Sequence, residues 1–249
     1  MPDQLTSGNL SFAPLYKRVK MRIMQRLTNG EWKPGEAIPS ESRLTEEFRV
    51  SIGTIRKAID ELSAEKILVR EQGRGTFVAT HTEDRFLYYF FHIVDRNGVK
   101  IFPQSNVLSF RRMRADANQA ERLQIERGAR IIRINNLLLL GGKPIEIDEI
   151  ILPAERFSGL TEEMLVTRSS TIYHLYQAKF GINVIRAAEK LRAVAADGET
   201  ARILNLQKGA PVQEIARVAY TYNNLPVELR NSYVNTDDHV YFNDLGKST

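Results

Sequence analysis

The chain contains no cysteine, so disulfides, thiolate nucleophiles and sulfur-ligated metals are excluded together. Histidine is scarce: His81, His92, His174 and His239 are scattered, and no two stand at metal-ligand spacing. Long apolar runs are missing too. Leu137 to Leu140 spans only 4 residues, against the roughly 20 that a membrane helix needs. The N-terminus carries Asp3 and no apolar core, unlike a secretory signal. These absences lead to the expectation of a soluble cytoplasmic protein with no cofactor and no membrane partner. Neither sign of charge dominates: 35 basic against 30 acidic residues leave +5, with a pI near 9.4. Such an excess is compatible with a polyanionic partner without establishing one. Residues 1–80 hold 13 Lys and Arg against 10 Asp and Glu, so the excess per residue is higher at that end.

What is present is length enough for two domains. A chain of 249 residues, 43% hydrophobic and 8% aromatic, has the composition of globular units with sizeable cores. Residues 1–11 are polar and without period, which predicts a flexible tail. From Leu15, apolar residues recur at Val19, Ile23, Met24 and Leu27, the stripe of an amphipathic helix, with Lys17, Arg18, Lys20, Arg22 and Arg26 on the other faces. Asn29-Gly30 ends that helix. Pro34-Gly35 predicts a turn and Ala37-Ile38 a short strand. Ser40 caps a second helix, with Arg43 at its third position and Leu44 and Phe48 on the buried face. Ser51 caps a third, its hydroxyl placed to accept the Thr54 amide. There Ile55, Ala58, Ile59 and Leu62 share the core face, leaving Gly53, Lys57 and Asp60 outward and Thr54 and Arg56 on the flanks.

Behind the third helix, Ile67 to Arg70 and Gly75 to Val78 predict a hairpin tipped by Gln72-Gly73-Arg74-Gly75. This order is the layout of a winged helix-turn-helix, which presents one helix and one β-ribbon to duplex DNA. Side chains in the first turns of such a helix read bases, and Arg or Lys there can pair with guanine. Gly53 permits close approach of the backbone, and Arg70 and Arg74 can reach phosphate or the minor groove. The bland alternatives are a solvated basic helix and an ordinary turn; the adjacency of the two elements favours DNA.

Leu15-Tyr16, Pro39-Ser40-Glu41, the run from Val50-Ser51 to Thr54-Ile55-Arg56-Lys57-Ala58, and Gln72 to Val78 together resemble the DNA-binding half of GntR-superfamily bacterial repressors. The match covers nearly all of residues 12–79, taken as one domain. It implies a double-stranded operator as partner, contacted by Ser40, Arg43, Ser51, Gly53, Thr54, Arg56, Lys57, Arg70, Gly73 and Arg74. Two positions depart. The family commonly has Arg directly after the Pro-Ser-Glu triplet and after the capping Ser, where this chain has Ser42 and Ile52. Both family arginines contact DNA, which implies a different preferred operator, with Arg43 as a partial substitute.

Residues 80–85 turn polar and predict a linker to a second domain, residues 86–246. That half carries a weak duplication. Ala115-Asp116 through Leu123, Gly128 and Ala129 recurs 81 positions later as Ala196-Asp197 through Leu204, Gly209 and Ala210, and Pro144-Ile145-Glu146 recurs as Pro226-Val227-Glu228. Each unit reads as helix, strand, tight turn, strand, with turns at Gly141-Gly142-Lys143 and Asn223-Asn224-Leu225. Two such units predict a single antiparallel sheet with helices packed on it. Between them, Ser170 or Thr171 caps a helix that ends at Gly181.

This succession resembles the UTRA domain of the HutC subfamily, carried by Pro144-Ile145, Leu152-Pro153, Thr171-Ile172-Tyr173, Phe180-Gly181-Ile182, Ala196–Leu204 and Pro226-Val227-Glu228. UTRA domains are similar in fold to chorismate lyase, act as ligand sensors and commonly dimerise. The implied fold class is therefore α+β: a winged helix-turn-helix followed by a chorismate-lyase-like UTRA domain, an antiparallel sheet with packed helices. The resemblance also implies effector contacts from Asp148, Thr171, Tyr173, Glu228 and Arg230. Strand alternation puts Glu146 with Asp148, and Glu228 with Arg230, on one face each. The alternatives are surface strand charges and, for Tyr173, a core aromatic with its hydroxyl at the rim. Sugar-phosphate sensors have an Arg-x-Arg pair before the first hairpin turn; here the stretch is Asn135-Asn136-Leu137-Leu138, which implies a non-phosphorylated effector. Leu87 to Phe91 followed by Asp95-Arg96-Asn97-Gly98 predicts an aromatic hairpin within Phe86–Phe102, where the family often has a helix.

The expectation is a homodimeric, ligand-responsive transcriptional regulator, a repressor released from a palindromic operator by a small metabolite. One rival is an enzyme with a lyase-like domain acting on a small carboxylate, although no nucleophile-base pair or metal cluster is visible. Another is a constitutive DNA-binding protein whose second half serves only to dimerise.

Overall fold

The computed structural model describes residues 13–82 and 89–244, so the 1–11 tail, half of the 80–85 linker and residues 86–88 lie outside the described residues. The chain divides into two compact units between Thr80 and His81.

In the first unit, α1 (Leu15–Thr28) follows Pro14 and buries Val19, Ile23 and Leu27, while Leu15 at its start stays exposed. Asn29 and Gly30, the latter at φ +74°, turn the chain out of the helix. The Ser40 hydroxyl accepts the Arg43 amide at 3.3 Å and opens α2 (Glu41–Phe48). The Ser51 hydroxyl does the same for the Thr54 amide and opens α3 (Ile52–Ala64). Both caps are where the sequence put them. Ile55, Ala58, Ile59 and Leu62 are fully buried, and each large aliphatic among them contributes about 1.5–3 kcal/mol by leaving water. Strands β1 (Leu68–Glu71) and β2 (Gly75–Val78) pair antiparallel, closed by an Arg74 amide to Glu71 carbonyl bond of 3.0 Å. Gly73 at φ +74° and Gly75 at φ +123° supply the backbone angles that this tip needs. The short strand expected at Ala37-Ile38 is a single bridge, Ala37 to Phe77, on the free edge of β2.

The second unit is a six-stranded antiparallel sheet of β4 (Gln104–Arg114), β5 (Arg130–Leu140), β6 (Lys143–Pro153), β7 (Arg186–Ala195), β8 (Pro211–Tyr220) and β9 (Pro226–Asn235), in the order β4-β5-β6-β9-β8-β7. The duplication is visible in it. Helices α4 (Ala117–Leu123) and α7 (Gly198–Leu204) have Asp116 and Asp197 as caps at nearly identical angles, φ −73° ψ 178° and φ −71° ψ 178°. Both end on a left-handed residue, Gln124 and Asn205. The repeat also reaches back one strand further than the sequence indicated, to β4 and β7. Because β6 pairs with β9, the two units meet at the middle of the sheet. Gly141 and Gly142 both have positive φ, as a two-residue hairpin turn demands, and Asn223 and Asn224 take positive φ at the equivalent place.

One sheet face is covered by the duplicated helices: α4 packs Ala120 and Leu123 with Ile131, Ile151 and Leu229, and α7 packs Ala201 and Leu204 with Val212. The opposite face carries α5 (Glu162–Val166), α6 (Ile172–Phe180) and the main core, including Ile132, Ile134, Ile150, Leu152, Phe157, Tyr173 and Tyr176. The aromatic hairpin does not form among the described residues. Ile93–Asp95, β3, pairs instead with His239–Tyr241, β10. The Asp95 carboxylate captures the amides of Asn97 and Val99, which curls the chain into a turn and leaves residues 99–103 without a strand. Phe90 and Phe91 are buried core.

Candidate nucleic-acid interface and ligand cavity

On the first unit, the residues expected to meet DNA form an exposed surface around α3 and the β1–β2 hairpin. Arg43, Ser51, Gly53, Arg56, Lys57, Arg70, Gly73 and Arg74 are exposed, Ser40 likewise, and Thr54 is half-buried with its hydroxyl 2.9 Å from that of Ser51. The cations are not loose. Arg56 donates Nε to Glu41 Oε2 at 2.7 Å, and Arg70 reaches the other oxygen of Glu41 at 3.3 Å while also pairing with Asp60. The guanidinium of Arg56 is held further above its ordinary pKa by the Glu41 hydrogen bond. Arg74 pairs with Glu71 and lies over the Phe77 ring, and the Lys57 ammonium sits 4.2 Å from the Tyr16 ring centroid. Glu41, singled out only as part of the Pro-Ser-Glu motif, thus links α2 to both α3 and the hairpin. Gly53 has only the Ser51 hydroxyl, 3.9 Å away, near the place its Cβ would occupy, so internal packing does not require a glycine there.

On the second unit, register brings the two pairs of charged strand residues onto one sheet face. Asp148 lies opposite Ser232, and Ile150 opposite Arg230. Asp148 and Glu228 are fully buried, and Glu146 and Arg230 are 5% exposed, so these are core charges and not surface strand charges. Their satisfaction is nearly complete, as burial of charge requires. Glu228 accepts from Tyr173 and Tyr176 at 2.9 Å each and from Arg230 at 3.0 and 3.1 Å. Arg230 also reaches Asp148 at 3.3 Å, and Ser232 donates to the other Asp148 oxygen. Burial, then the Glu228 charge, pushes both tyrosine hydroxyls up, so they remain protonated donors. Glu146 is held well above the usual carboxylate range by burial and by the charge of Asp148, and its Oε2 has no partner among the described residues. Beside them, Arg217 pairs with Glu189, whose pKa burial would raise but Arg217 brings down.

A cavity of about 410 Å³ opens over this network, at the N-terminus of α6. Asn136, Asp148 and Arg230 form its buried floor, Ser105, Arg168, Ser169, Ser170 and Thr171 its polar sides, and Leu138, Ile150, Leu165 and Ile172 part of its apolar lining. Thr171 caps α6, its hydroxyl accepting the His174 amide at 3.0 Å. Of the five residues expected to contact a ligand, Asp148, Thr171 and Arg230 line the cavity. Tyr173 and Glu228 do not: they bond to each other beneath it, and support Arg230 from behind. Sequence inspection missed Ser105 and Arg168. Arg168 stands in a polar loop three residues ahead of the cap, with no periodicity to mark it.

The description of bacterial regulatory proteins of the gntR family matches residues 15–78, and that of the UTRA domain matches residues 100–240. The mannosyl-D-glycerate transport/metabolism system repressor MngR of Escherichia coli is 29% identical, with 92% of this chain and 94% of that protein covered. The histidine utilization repressor of Pseudomonas putida is 31% identical, with 82% of each covered. Among solved structures, the ligand-binding domain of a GntR-family transcriptional regulator from Bordetella bronchiseptica is 35% identical at a TM-score of 0.60, covering 64% of this chain and 98% of that one. Among the described residues no helix is long and apolar enough to cross a membrane.

Proposed function

This chain belongs to the GntR family of bacterial regulatory proteins, its HutC subfamily, with a DNA-binding head joined to a UTRA domain, and we propose that it represses a metabolic operon until a small effector occupies the cavity at α6. Its curated relatives are transcriptional repressors and not enzymes, so the lyase-like alternative is set aside.

In this proposal α3 enters the major groove. Arg56, Lys57, Thr54 and Gly53 face the bases, Arg43 and the Ser40 and Ser51 turns face the backbone, and Gly73 with Arg74 follows the minor groove, with Arg70 alongside. A homodimer places two such helices one helical turn apart on a palindromic site. The effector lies against Asp148, Thr171 and Arg230, while Tyr173 and Glu228 hold that wall in place. It acts only through differential affinity, binding more tightly to a state of the dimer that does not match the operator. The observation that carries this proposal is the pairing of an exposed, basic α3 with a glycine-tipped hairpin directly behind it.

The test is selection of duplexes from a randomised library with the full chain, followed by binding titrations on the winner. Arg56→Ala and Arg74→Ala should each weaken binding while leaving the thermal transition in place. Unchanged affinity in both variants refutes the assignment of α3 and the hairpin.

A further inference from the structure

The cavity at α6 holds a cation that pairs directly with no carboxylate among the described residues. Arg230, on the floor, is committed to Glu228 and Asp148. Arg168, on the side, is not committed to any carboxylate among the described residues. Its guanidinium donates to the Ser105 hydroxyl and to the Leu165 carbonyl, both neutral, and Ser105 passes its own proton to Asn136 Oδ1 at 2.7 Å. Burial brings the Arg168 pKa down, with the charge of Arg230 adding to the shift and that of Asp148 offsetting it only in part. A half-buried arginine beside a polar cavity, with only neutral hydrogen-bond partners among the described residues, is an unfinished ion pair.

From this geometry we infer that the effector is a small monocarboxylate rich in hydroxyl or ammonium donors, its carboxylate seated on Arg168 and its donors turned to the Asn136–Asp148 floor. Charge sets the valence. One uncommitted arginine matches one negative charge, whereas a phosphate dianion calls for more cations than the cavity can spare, since Arg230 already serves two carboxylates. The planar guanidinium also fits a carboxylate in a two-bond fork. Ser169 and Ser170, on the same wall, add hydroxyls around that end. The buried floor carries the Asp148 carboxylate and the Asn136 amide oxygen, and the bonds they accept from Arg230, Ser232 and Ser105 leave lone pairs on both, so donors on the rest of the molecule would be matched there. The inference rests on the sensor reading above and narrows its ligand to one chemical class.

The experiment uses the full chain and matched probes: glycerate, gluconate and serine as carboxylates, glycerol and glucose as their uncharged counterparts, and glycerol 3-phosphate as the dianion. Thermal shift and calorimetric titration are read for the wild type, Arg168→Gln and Arg168→Lys. At least one carboxylate should bind, with its uncharged counterpart silent and the phosphate no tighter. Arg168→Gln should lose about tenfold to a hundredfold in affinity, the usual worth of a charge-assisted bond, and Arg168→Lys should recover part of that loss. Retained binding to the selected DNA duplex certifies that both variants fold. The inference is overturned if no carboxylate binds, if glycerol 3-phosphate binds more tightly, or if Arg168→Gln binds as the wild type does. A phosphate or neutral probe that binds and releases DNA would sink the carboxylate class alone and leave the sensor standing; absence of DNA binding by the wild type would sink the sensor itself.

Discussion

At the scale of single residues, the surface around α3 is preorganised. Glu41 grips Arg56 by Nε, which leaves the two terminal amino groups, the pair that can span guanine O6 and N7, free to point away from the protein. Glu41→Gln should therefore lower discrimination between the selected duplex and a scrambled one by about tenfold, within the ~1–3 kcal/mol of a bidentate base contact. The same change removes a negative charge near the phosphates, so affinity for scrambled DNA should rise; anisotropy titrations on both duplexes measure the two effects in opposite directions. Gly53 makes a second case. Only the Ser51 hydroxyl, at an ordinary contact distance, lies near its absent Cβ, and its φ is not in the left-handed region, so Gly53→Ala should hold or raise stability by up to about 1 kcal/mol. If the backbone approaches DNA there, binding should fall even as the melting temperature does not.

At the scale of elements, α6 is held by its cap and by the carboxylate beneath it. Thr171→Ala removes the acceptor of the His174 amide and should cost about 0.5–2 kcal/mol, seen as a lower denaturant midpoint. Strand β6 brings a pH response. The Glu146 carboxyl is raised above its ordinary 4.5 in the folded protein, by burial first and the Asp148 charge second. The folded state thus holds this proton more tightly than the unfolded chain does. Its contribution is fully present below the unfolded pKa and is lost as pH rises toward the folded one. Glu146→Gln cannot titrate, so its stability relative to wild type should grow as pH rises from 4 to 8. A difference that stays flat across that window would show that Glu146 is ionised in the fold.

At the scale of the whole molecule, a net charge of +5 is too small to bind duplexes by bulk attraction, so affinity should depend on the few cations gathered at α3 and the hairpin. Affinity should fall with salt, and each of Arg56→Ala and Arg74→Ala should flatten the logarithmic salt dependence by about one unit if its partner is a phosphate. An arginine that reads a base should instead relax specificity at one position. Dimerisation is tested separately: two chains of 28.4 kDa should sediment together at the concentrations that bind the selected duplex.

Local signals made the first unit readable. The caps at Ser40 and Ser51, the apolar spacing of Ile55, Ala58, Ile59 and Leu62, and the glycines of the hairpin each act within a few residues, so they are legible in order along the chain. The duplicated caps at Asp116 and Asp197 were legible for the same reason. The aromatic stretch failed because β3 takes its partner from about 145 residues away, a pairing set by tertiary closure and not by the local turn. The cavity could be read only in part. Alternation placed Asp148 and Arg230 on single faces, but the β6–β9 pairing decided that both faces are the same one. Helix packing then decided that Tyr173 and Glu228 lie beneath the cavity and Arg168 beside it. Short-range hydrogen bonds and periodicity are properties of neighbours in sequence; which buried charge finds a partner, and which is left for a ligand, depends on strands that meet only when the sheet closes.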